Sequence, residues 1–221
     1  NVFAHVPEIN DFTKGIKILL KENGVVTLEF PHLLKLIQET QFDTIYHEHF
    51  SYLSLFTVCQ IFKRHGLKVF DVDNISTHGG SLRIYGCHDF DERQESPNLN
   101  KILTSEKKYG LQDSNIYSSF QQRVEMIKNE FISFLIKQKK LGKKVAAYGA
   151  AAKGNTLLNF AGVKPDLLPF VCDAAFAKQG KFLPGSHIPI FAPDELKKYC
   201  PDFIVILPWN ISKEIVAQNN E

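Results

Sequence analysis

The spacing of hydrophobic residues near the start of the chain predicts a helix followed by a strand. Apolar residues recur at the three- and four-residue intervals of an amphipathic helix, at Phe12, Ile16, Leu19 and Leu20. Gly24 ends this helix, and the β-branched run that follows it at 25–30 predicts a buried strand. The same reasoning predicts further elements before residue 90: helices at 33–39 and from Ser54 to Gly66, and strands at 67–72 and 81–87.

A second region begins after a polar stretch at 89–110. Apolar residues then recur with helical spacing at 114–141, which predicts one long helix. Beyond it, a strand at 144–149 passes through a turn of small residues into another helix, and apolar runs at 169–172 and 203–207 predict more strands. Because strands alternate with helices, the predicted fold class is α/β, with a Rossmann-like parallel sheet in this second region.

These patterns divide the chain into a first region at 1–90, a linker at 91–111 and a second domain at 112–221. Asn1 is not an initiator methionine, and the apolar periodicity starts almost at once. We therefore expect the chain to be a fragment that begins inside a fold.

Composition and charge restrict the kind of protein. Lys and Arg number 26 against 24 Asp and Glu, and the net charge of +2 argues against general binding to nucleic acid or an anionic membrane. The 44% of apolar residues excludes a disordered chain. The four cysteines form no C-x-x-C pair, so neither a zinc knuckle nor a disulfide scaffold is predicted. Since no apolar run approaches about 18 residues and no leader opens the chain, we expect a cytoplasmic protein with a small-molecule partner.

The densest candidate chemistry lies at 44–52, where Tyr46, His47, Glu48 and His49 are consecutive. Imidazole transfers protons near neutral pH, a tyrosine can donate to a developing oxyanion, and a carboxylate can fix the tautomer of an imidazole. In extended backbone the two histidines would share a face opposite Tyr46 and Glu48, whereas a turn would break this pairing. The segment favours an acid–base site.

Two other interpretations of this segment stay open. Its residues could form a structural hydrogen-bonding network, or His47 and His49 could bind a metal, although no third ligand is evident. A zincin motif is excluded because H-E-x-x-H would need a histidine where Ser51 stands, and we assign no metal ligands. Upstream, Asn1 and His5 lie four residues apart and would share a helical face, with a surface-loop histidine as the alternative.

A pair of glycines marks a second candidate ligand site. His78-Gly79-Gly80 leads into a predicted strand on which Ser81 and Arg83 share a face, so that a hydroxyl and a guanidinium could meet one ligand. A hairpin turn with an exposed arginine is the equal alternative, because tight turns need glycine regardless of function.

The segment 148–156 connects a predicted strand to a predicted helix, where free N–H groups and the helix dipole favour an anion. Asn155 stands in place of the Walker A lysine, which excludes an NTPase, and the absence of G-x-G-x-x-G makes NAD a poor fit. A nucleotide diphosphate fits better, and a turn that binds nothing is the alternative. The residues concerned are Gly149, Lys153, Gly154, Asn155 and Thr156. Trp209 and Asn210 could line a cleft, although a core or rim position is favoured.

In these motifs the sequence resembles the S-adenosylmethionine-dependent sugar C-methyltransferases, which act on nucleotide-linked keto-deoxysugars. The matching stretches are 1–6, 28–32, 42–52, 78–83 and 147–156, and the block from Tyr46 to His49 is the most specific. The resemblance implies a zinc-binding N-terminal domain, a central cofactor domain and a Rossmann-like C-terminal domain that helps to hold the nucleotide sugar. This chain lacks the zinc cysteines and the glycine-rich first turn of the cofactor domain. Its first region is therefore expected to be the remainder of a class I methyltransferase sheet, with an incomplete cofactor site and with zinc only in a missing N-terminal domain.

The resemblance also implies roles for individual residues. His49 would remove the proton next to the sugar ketone, and the carbon of the resulting enolate would attack the sulfonium methyl group. Tyr46, Glu48 and His5 would surround the reacting sugar, with Asn1 as a further polar contact. Independently of the resemblance, the arguments from the residues themselves predict that Ser81, Arg83 and the segment 149–156 bind the nucleotide diphosphate sugar.

Two other functions remain as hypotheses. The chain could be a nucleotide-sugar-binding module without catalysis. It could also be a nicotinamide-dependent nucleotide-sugar oxidoreductase, which the predicted parallel sheet permits but the missing G-x-G-x-x-G disfavours.

Overall fold

The computed structural model describes residues 2–218, and the chain divides into two compact units. The first unit contains the chain up to Gln41 together with His47–Phe120. The second contains Phe42–Tyr46 and the chain from Gln121 onward. The chain therefore contributes one short internal segment to the second unit before it returns to the first.

The first unit is built on an antiparallel sheet of three strands, β1 (Val26–Pro31), β2 (Leu67–Ile75) and β3 (Ser81–His88), in the order β1-β3-β2. Four helices belong to it, namely α1 (Ile9–Leu19), α2 (Leu33–Gln38), α3 (Leu55–Arg64) and α4 (Pro97–Tyr109). Short 3-10 helices lie at Phe3–His5, Thr77–Gly79 and Ser114–Tyr117. The helices and strands predicted before residue 90 are confirmed, including the cap of α3, where the Ser54 hydroxyl accepts from the N–H of Thr57.

Aromatic rings fill the centre of the first unit. Phe3, Phe30 and Phe62 are almost completely buried, and the Phe3 and Phe62 rings meet edge to face with centroids 6.4 Å apart. Gly86 on β3 faces Phe62 directly, and a Cβ at this position would collide with the ring. The strand therefore needs glycine here to let the ring pack.

The predicted linker at 91–111 is wrong, because this segment contains α4. Ser96 caps the helix by accepting from the N–H of Leu99, and Leu99 and Ile102 enter the same core as the sheet. One turn further along this face, Glu106 is 1% exposed and its carboxylate accepts from the N–H groups of Leu55 and Phe56. A buried glutamate on the core face interrupts the apolar pattern, which is why periodicity did not reveal the helix.

The second unit is built on a parallel sheet of four short strands, β4 (Val145–Tyr148), β5 (Val171–Cys172), β6 (Ile190–Phe191) and β7 (Phe203–Ile206). Its order is β6-β5-β4-β7, which confirms the predicted parallel α/β sheet. The helices are α5 (Phe120–Lys140), α6 (Ala152–Phe160), α7 (Asp194–Tyr199) and α8 (Ser212–Gln218). Short 3-10 helices lie at Phe42–Thr44, Phe176–Lys178 and Trp209–Ile211. Within the part of the chain that the structure describes, no helix is long and apolar enough to cross a membrane.

The aromatic centre of the first unit makes a testable prediction about stability. We expect Phe62→Ala to lower the free energy of unfolding by about 3–5 kcal/mol, because it removes a fully buried ring and leaves a cavity. Urea unfolding followed by circular dichroism measures the change. Phe176→Ala is the control, since that ring is 87% exposed and its loss should have little effect. Equal effects of the two substitutions would contradict the central position of Phe62.

Candidate functional site

The order of strands in the second unit identifies one edge of the sheet as a candidate site. The chain proceeds from β4 outward to β5 and β6, and then returns to the other side of β4 as β7. Ligands of open α/β sheets bind beyond the carboxyl ends of the strands at such a reversal. Here those ends lead into the turn at 149–151 and into the segment 207–210, both of which carry residues that the sequence analysis considered.

Gly149 in the turn and Gly154 on α6 permit close packing against the end of β7. Gly149 has a φ of +94°, and a Cβ on it would collide with the ring of Pro208. A Cβ on Gly154 would lie 2.6 Å from Cβ of Leu207. Both glycines therefore have a packing role in addition to the ligand role expected from the sequence.

A carboxylate of the protein occupies part of the same turn. The N–H of Ala150 donates to Oδ2 of Asp173 at 2.7 Å, and the other carboxylate oxygen accepts from the N–H of Ala175 at 2.8 Å. Lys178 forms an ion pair with this carboxylate at 3.1 Å. Nearby, the Thr156 hydroxyl donates to the carbonyl of Ala152, within α6. The amide of Ala150 is thus already bound to a negative group.

Lys153 belongs to a buried polar cluster, which we call the Asp43–Trp209 cluster and define as Asp43, Lys153, Trp209 and Asn210. The indole N–H of Trp209 donates to Oδ2 of Asp43 at 2.6 Å. Nζ of Lys153 donates to Oδ1 of Asn210 at 3.0 Å and lies 4.7 Å from the centroid of the indole ring. Asp43 is 6% exposed and Lys153 is 8% exposed. The cation that we expected to meet a diphosphate is therefore held inside the second unit by protein groups.

Burial and charge act against each other in this cluster. Desolvation raises the pKa of Asp43, while the bond from Trp209 and the charge of Lys153 oppose the rise. Desolvation lowers the pKa of Lys153, and the charge of Asp43 opposes this shift. The centroid of the Phe42 ring lies 5.5 Å from that of Phe160 on α6. This apolar contact and the hydrogen bond from Trp209 to Asp43 attach the segment Phe42–Tyr46 to the rest of the second unit.

The first unit contains a separate group of side chains with acid–base character, the His5–His49–Tyr52 cluster. The ring centroids of His5 and His49 are 4.8 Å apart, and Tyr52 meets His49 edge to face at 6.1 Å. Nδ1 of His5 lies 2.8 Å from the carbonyl oxygen of Glu48, so this nitrogen carries the proton and donates it. The N–H of Phe50 donates to the carbonyl of Ala4 at 2.9 Å, which ties the two chain segments together.

The backbone at His47 and Glu48 forms a turn rather than an extended strand. A turn removes the alternation that would place His47 beside His49, and the side chains of His47 and Glu48 are exposed. His49, which is half-buried, pairs instead with His5. Of the two backbone conformations considered from the sequence, extended and turn, the structure shows the turn.

The remaining predicted residues lie in different surroundings. Ser81 and Arg83 share a face of β3, but Ser81 is buried and donates to the carbonyl of Thr77, whereas the exposed Arg83 pairs with Glu29 at 2.9 Å. Tyr46 belongs to the segment of the second unit.

Two further predicted positions are Asn155 and Asn1. Asn155 is partly buried, and its Oδ1 has no hydrogen-bond partner among the described residues. The predicted polar contact of Asn1 lies outside those residues. In residues 2–218, no group of three His, Cys, Asp or Glu side chains is placed to hold a metal ion.

Sequence reasoning missed the contribution of three residues to these clusters. Tyr52 stands inside the quoted motif, and its contact with His49 depends on the turn at 47–48. Asp43 also stands in the matching stretch, and its partner Trp209 was favoured as a core or rim residue. The signal available in the sequence was that Asp43 adjoins the segment 44–52 and that Trp209, the single tryptophan, follows a predicted strand.

Comparison with known proteins identifies the family of this chain. A family model described as the C-methyltransferase C-terminal domain matches residues 76–221. C-methyltransferase NovU of Streptomyces niveus is 36% identical over 219 residues, which are 99% of this chain and 52% of NovU. The chain belongs to the C-methyltransferase family, and it spans about half the length of the curated relative that it matches.

The buried carboxyl of Asp43 makes a prediction about pH. Because its pKa is raised on folding, the folded state binds this proton more tightly than the unfolded chain does. Its contribution to stability is therefore greatest below the ordinary pKa of 3.8 and is lost as the pH rises through the raised pKa. Asp43→Asn removes this proton and keeps an oxygen that can accept from Trp209. We expect the stability of this variant, relative to the unsubstituted protein, to increase as the pH is raised from below 3.8 to neutral.

Urea unfolding across this pH range measures the difference. Asp202→Asn is the control, because the ion pair with Lys143 lowers the pKa of Asp202 and reverses the sign of the dependence. The prediction would be contradicted if the free energies of unfolding of Asp43→Asn and of the unsubstituted protein changed equally with pH.

Proposed function

We propose that the enzyme to which this chain belongs transfers a methyl group from S-adenosylmethionine to the carbon next to the ketone of a nucleotide-linked keto-deoxysugar. The observation that carries the proposal is the His5–His49–Tyr52 cluster in a chain of the C-methyltransferase family. Formation of a carbon–carbon bond requires a carbon nucleophile, and loss of a proton next to a ketone provides one as an enolate. A positioned base is therefore the group that the reaction needs from the protein.

His49 is the proposed base. Its imidazole is half-buried, lies beside His5 and Tyr52, and is of the type that accepts protons near neutral pH. Nδ1 of His5 donates to the backbone carbonyl of Glu48 and cannot accept a proton. Nε2 is therefore the nitrogen of this ring that would face a sugar oxygen. In this assignment Tyr46 and Glu48 are contacts to the sugar, as the resemblance implies.

The methyl donor is S-adenosylmethionine in this proposal, and its sulfonium group supplies the methyl carbon. The turn after β4 does not fit this cofactor, because Pro208, Leu207 and Asp173 fill the space around Gly149, Gly154 and Ala150. The proposed role of this chain is accordingly on the side of the sugar substrate. Orientation of the sugar and removal of its proton are the steps that its described residues support.

The nucleotide diphosphate is proposed to bind at the start of α6. Ala151, at the N-cap, forms no side-chain cap, so the first N–H groups of the helix retain their capacity for an anion. The carboxyl ends of β4 and β7 meet here at the reversal of strand order, which supports the same location. Asp173 restricts the available amides to those that follow Ala150.

Substitution of His49 tests the chemistry directly. In the full-length enzyme we expect His49→Asn to slow both methyl transfer and exchange of the sugar proton with deuterium by roughly 100-fold or more, the usual scale for a positioned base. Exchange is followed by proton NMR on a thymidine-diphosphate keto-deoxysugar. His47→Asn is the matched control, because His47 is an exposed histidine two residues away, and its removal should leave both rates nearly unchanged.

Near-normal proton exchange in His49→Asn would refute the assignment of the base. Binding of the nucleotide sugar without proton exchange in the unsubstituted enzyme would instead favour a binding module without catalysis.

A further inference from the structure

A cavity of about 570 Å³ opens within the first unit, beside α2, α4 and the turn that joins β2 to β3. This volume lies in the range of small-molecule sites. His32, Lys35, Ser76, Ser81, Lys101 and Ser105 contribute to its wall. None of the residues that line it belongs to the His5–His49–Tyr52 cluster. The cavity is therefore a second candidate site that the proposed function does not use.

His32 presents one ring nitrogen whose chemistry is determined by its neighbours. Its side chain is 4% exposed, and Nε2 lies 2.7 Å from Oε1 of Glu106. The same carboxylate accepts from the N–H groups of Leu55 and Phe56 at 2.7 and 2.9 Å. A carboxylate that collects three donors is an acceptor at each contact, so Nε2 of His32 carries the proton. Nδ1 is then a hydrogen-bond acceptor.

No described residue provides a hydrogen bond to Nδ1 of His32, and the imidazole lines the cavity. Nδ1 is therefore an acceptor that a donor group of a ligand in the cavity can reach. A hydroxyl group of a ligand is the natural partner, because it can donate to Nδ1 and accept from the serine hydroxyls of the same wall.

The charges around the cavity favour an anion. Lys35 and Lys101 both line it, and Lys35 pairs with Glu39 at 3.0 Å. Lys101 is exposed and forms no ion pair within residues 2–218. One positive charge therefore remains uncompensated at the rim, next to the hydroxyls of Ser76 and Ser105. Lysine with hydroxyl groups is suited to a phosphate.

The turn that closes the cavity is held in place from two sides. His78, Gly79 and Gly80 have φ values of 55°, 90° and 112°, a run that ordinary residues rarely adopt. The N–H of His32 donates to the carbonyl of Gly80, and the side chain of Gln41 donates to that of Gly79. The wall is thus preformed, which lowers the cost of ordering it around a ligand.

We propose that this cavity binds a phosphorylated sugar, with a sugar hydroxyl donating to Nδ1 of His32 and the phosphate beside Lys101. The phosphorylated sugar can be a free sugar phosphate or the sugar end of a nucleotide-linked sugar, and both share the same chemistry. The assignment stands apart from the proposed function, because it concerns neither His49 nor α6.

Calorimetric titration of the full chain with glucose 1-phosphate tests the proposal, with thymidine diphosphate glucose, inorganic phosphate and glucose as separate probes. We expect saturable binding of glucose 1-phosphate that is tighter than binding of either phosphate or glucose. Lys101→Gln should weaken it about tenfold, the value of one charge-assisted hydrogen bond. Lys108→Gln is the matched control on the same helix, because Lys108 does not line the cavity.

His32→Gln addresses the hydroxyl contact and keeps a donor for Glu106. This variant should lose the preference for glucose 1-phosphate over inorganic phosphate. If His32→Gln fails to fold, Lys101→Gln still tests the site, because Lys101 is exposed. Binding of thymidine diphosphate glucose with the same dependence on Lys101 would identify the nucleotide-linked sugar as the ligand, and its absence would identify the free sugar phosphate.

The proposal is overturned if glucose 1-phosphate gives no saturable signal, if inorganic phosphate binds as tightly, or if the two lysine variants behave alike. None of these results alters proton exchange by His49, so failure here is distinguishable from failure of the proposed function.

Discussion

The carboxylate of Glu106 is the interaction on which the arrangement of the first unit depends. A buried carboxylate is expensive to remove from water unless hydrogen bonds replace its hydration. Here the replacement comes from the first two N–H groups of α3 and from the imidazole of His32, at the N-cap of α2. The positive end of the α3 dipole adds to these bonds. One side chain on α4 thus fixes the position of two other helices.

The second unit depends on a different constraint, the close approach of the ends of β4 and β7. Gly149 and Gly154 allow this approach because they have no side chains to meet Pro208 and Leu207. The approach brings Trp209 to Asp43 and Lys153 to Asn210. Two glycines therefore determine where the polar cluster forms, although neither belongs to it.

Local patterns predicted the elements of this fold better than they predicted its contacts. Periodicity and turn residues revealed the three strands of the first unit and the parallel sheet of the second, because each element buries a regular face. The helix α4 was missed because Glu106 occupies a core position, which becomes favourable only when α3 is in place. The burial of Lys153 was missed for the same reason, since its partners Asn210 and Trp209 are distant in sequence. The histidine-rich motif was recognisable from composition, but the choice of His5 over His47 as the neighbour of His49 depended on a turn.

The two histidine sites of the first unit differ in how their rings are held, and the difference bears on what each can do. In His32, the carboxylate of Glu106 accepts from Nε2, which fixes both the tautomer and the orientation of the ring. In His5, the partner is the neutral carbonyl of Glu48, which fixes the position of the proton without adding a charge. The carboxylate-linked ring is suited to a constant hydrogen bond with a ligand. In the second site, His49 lies against the rings of His5 and Tyr52, and an imidazole is the type of side chain that a proton-abstraction step uses near neutral pH.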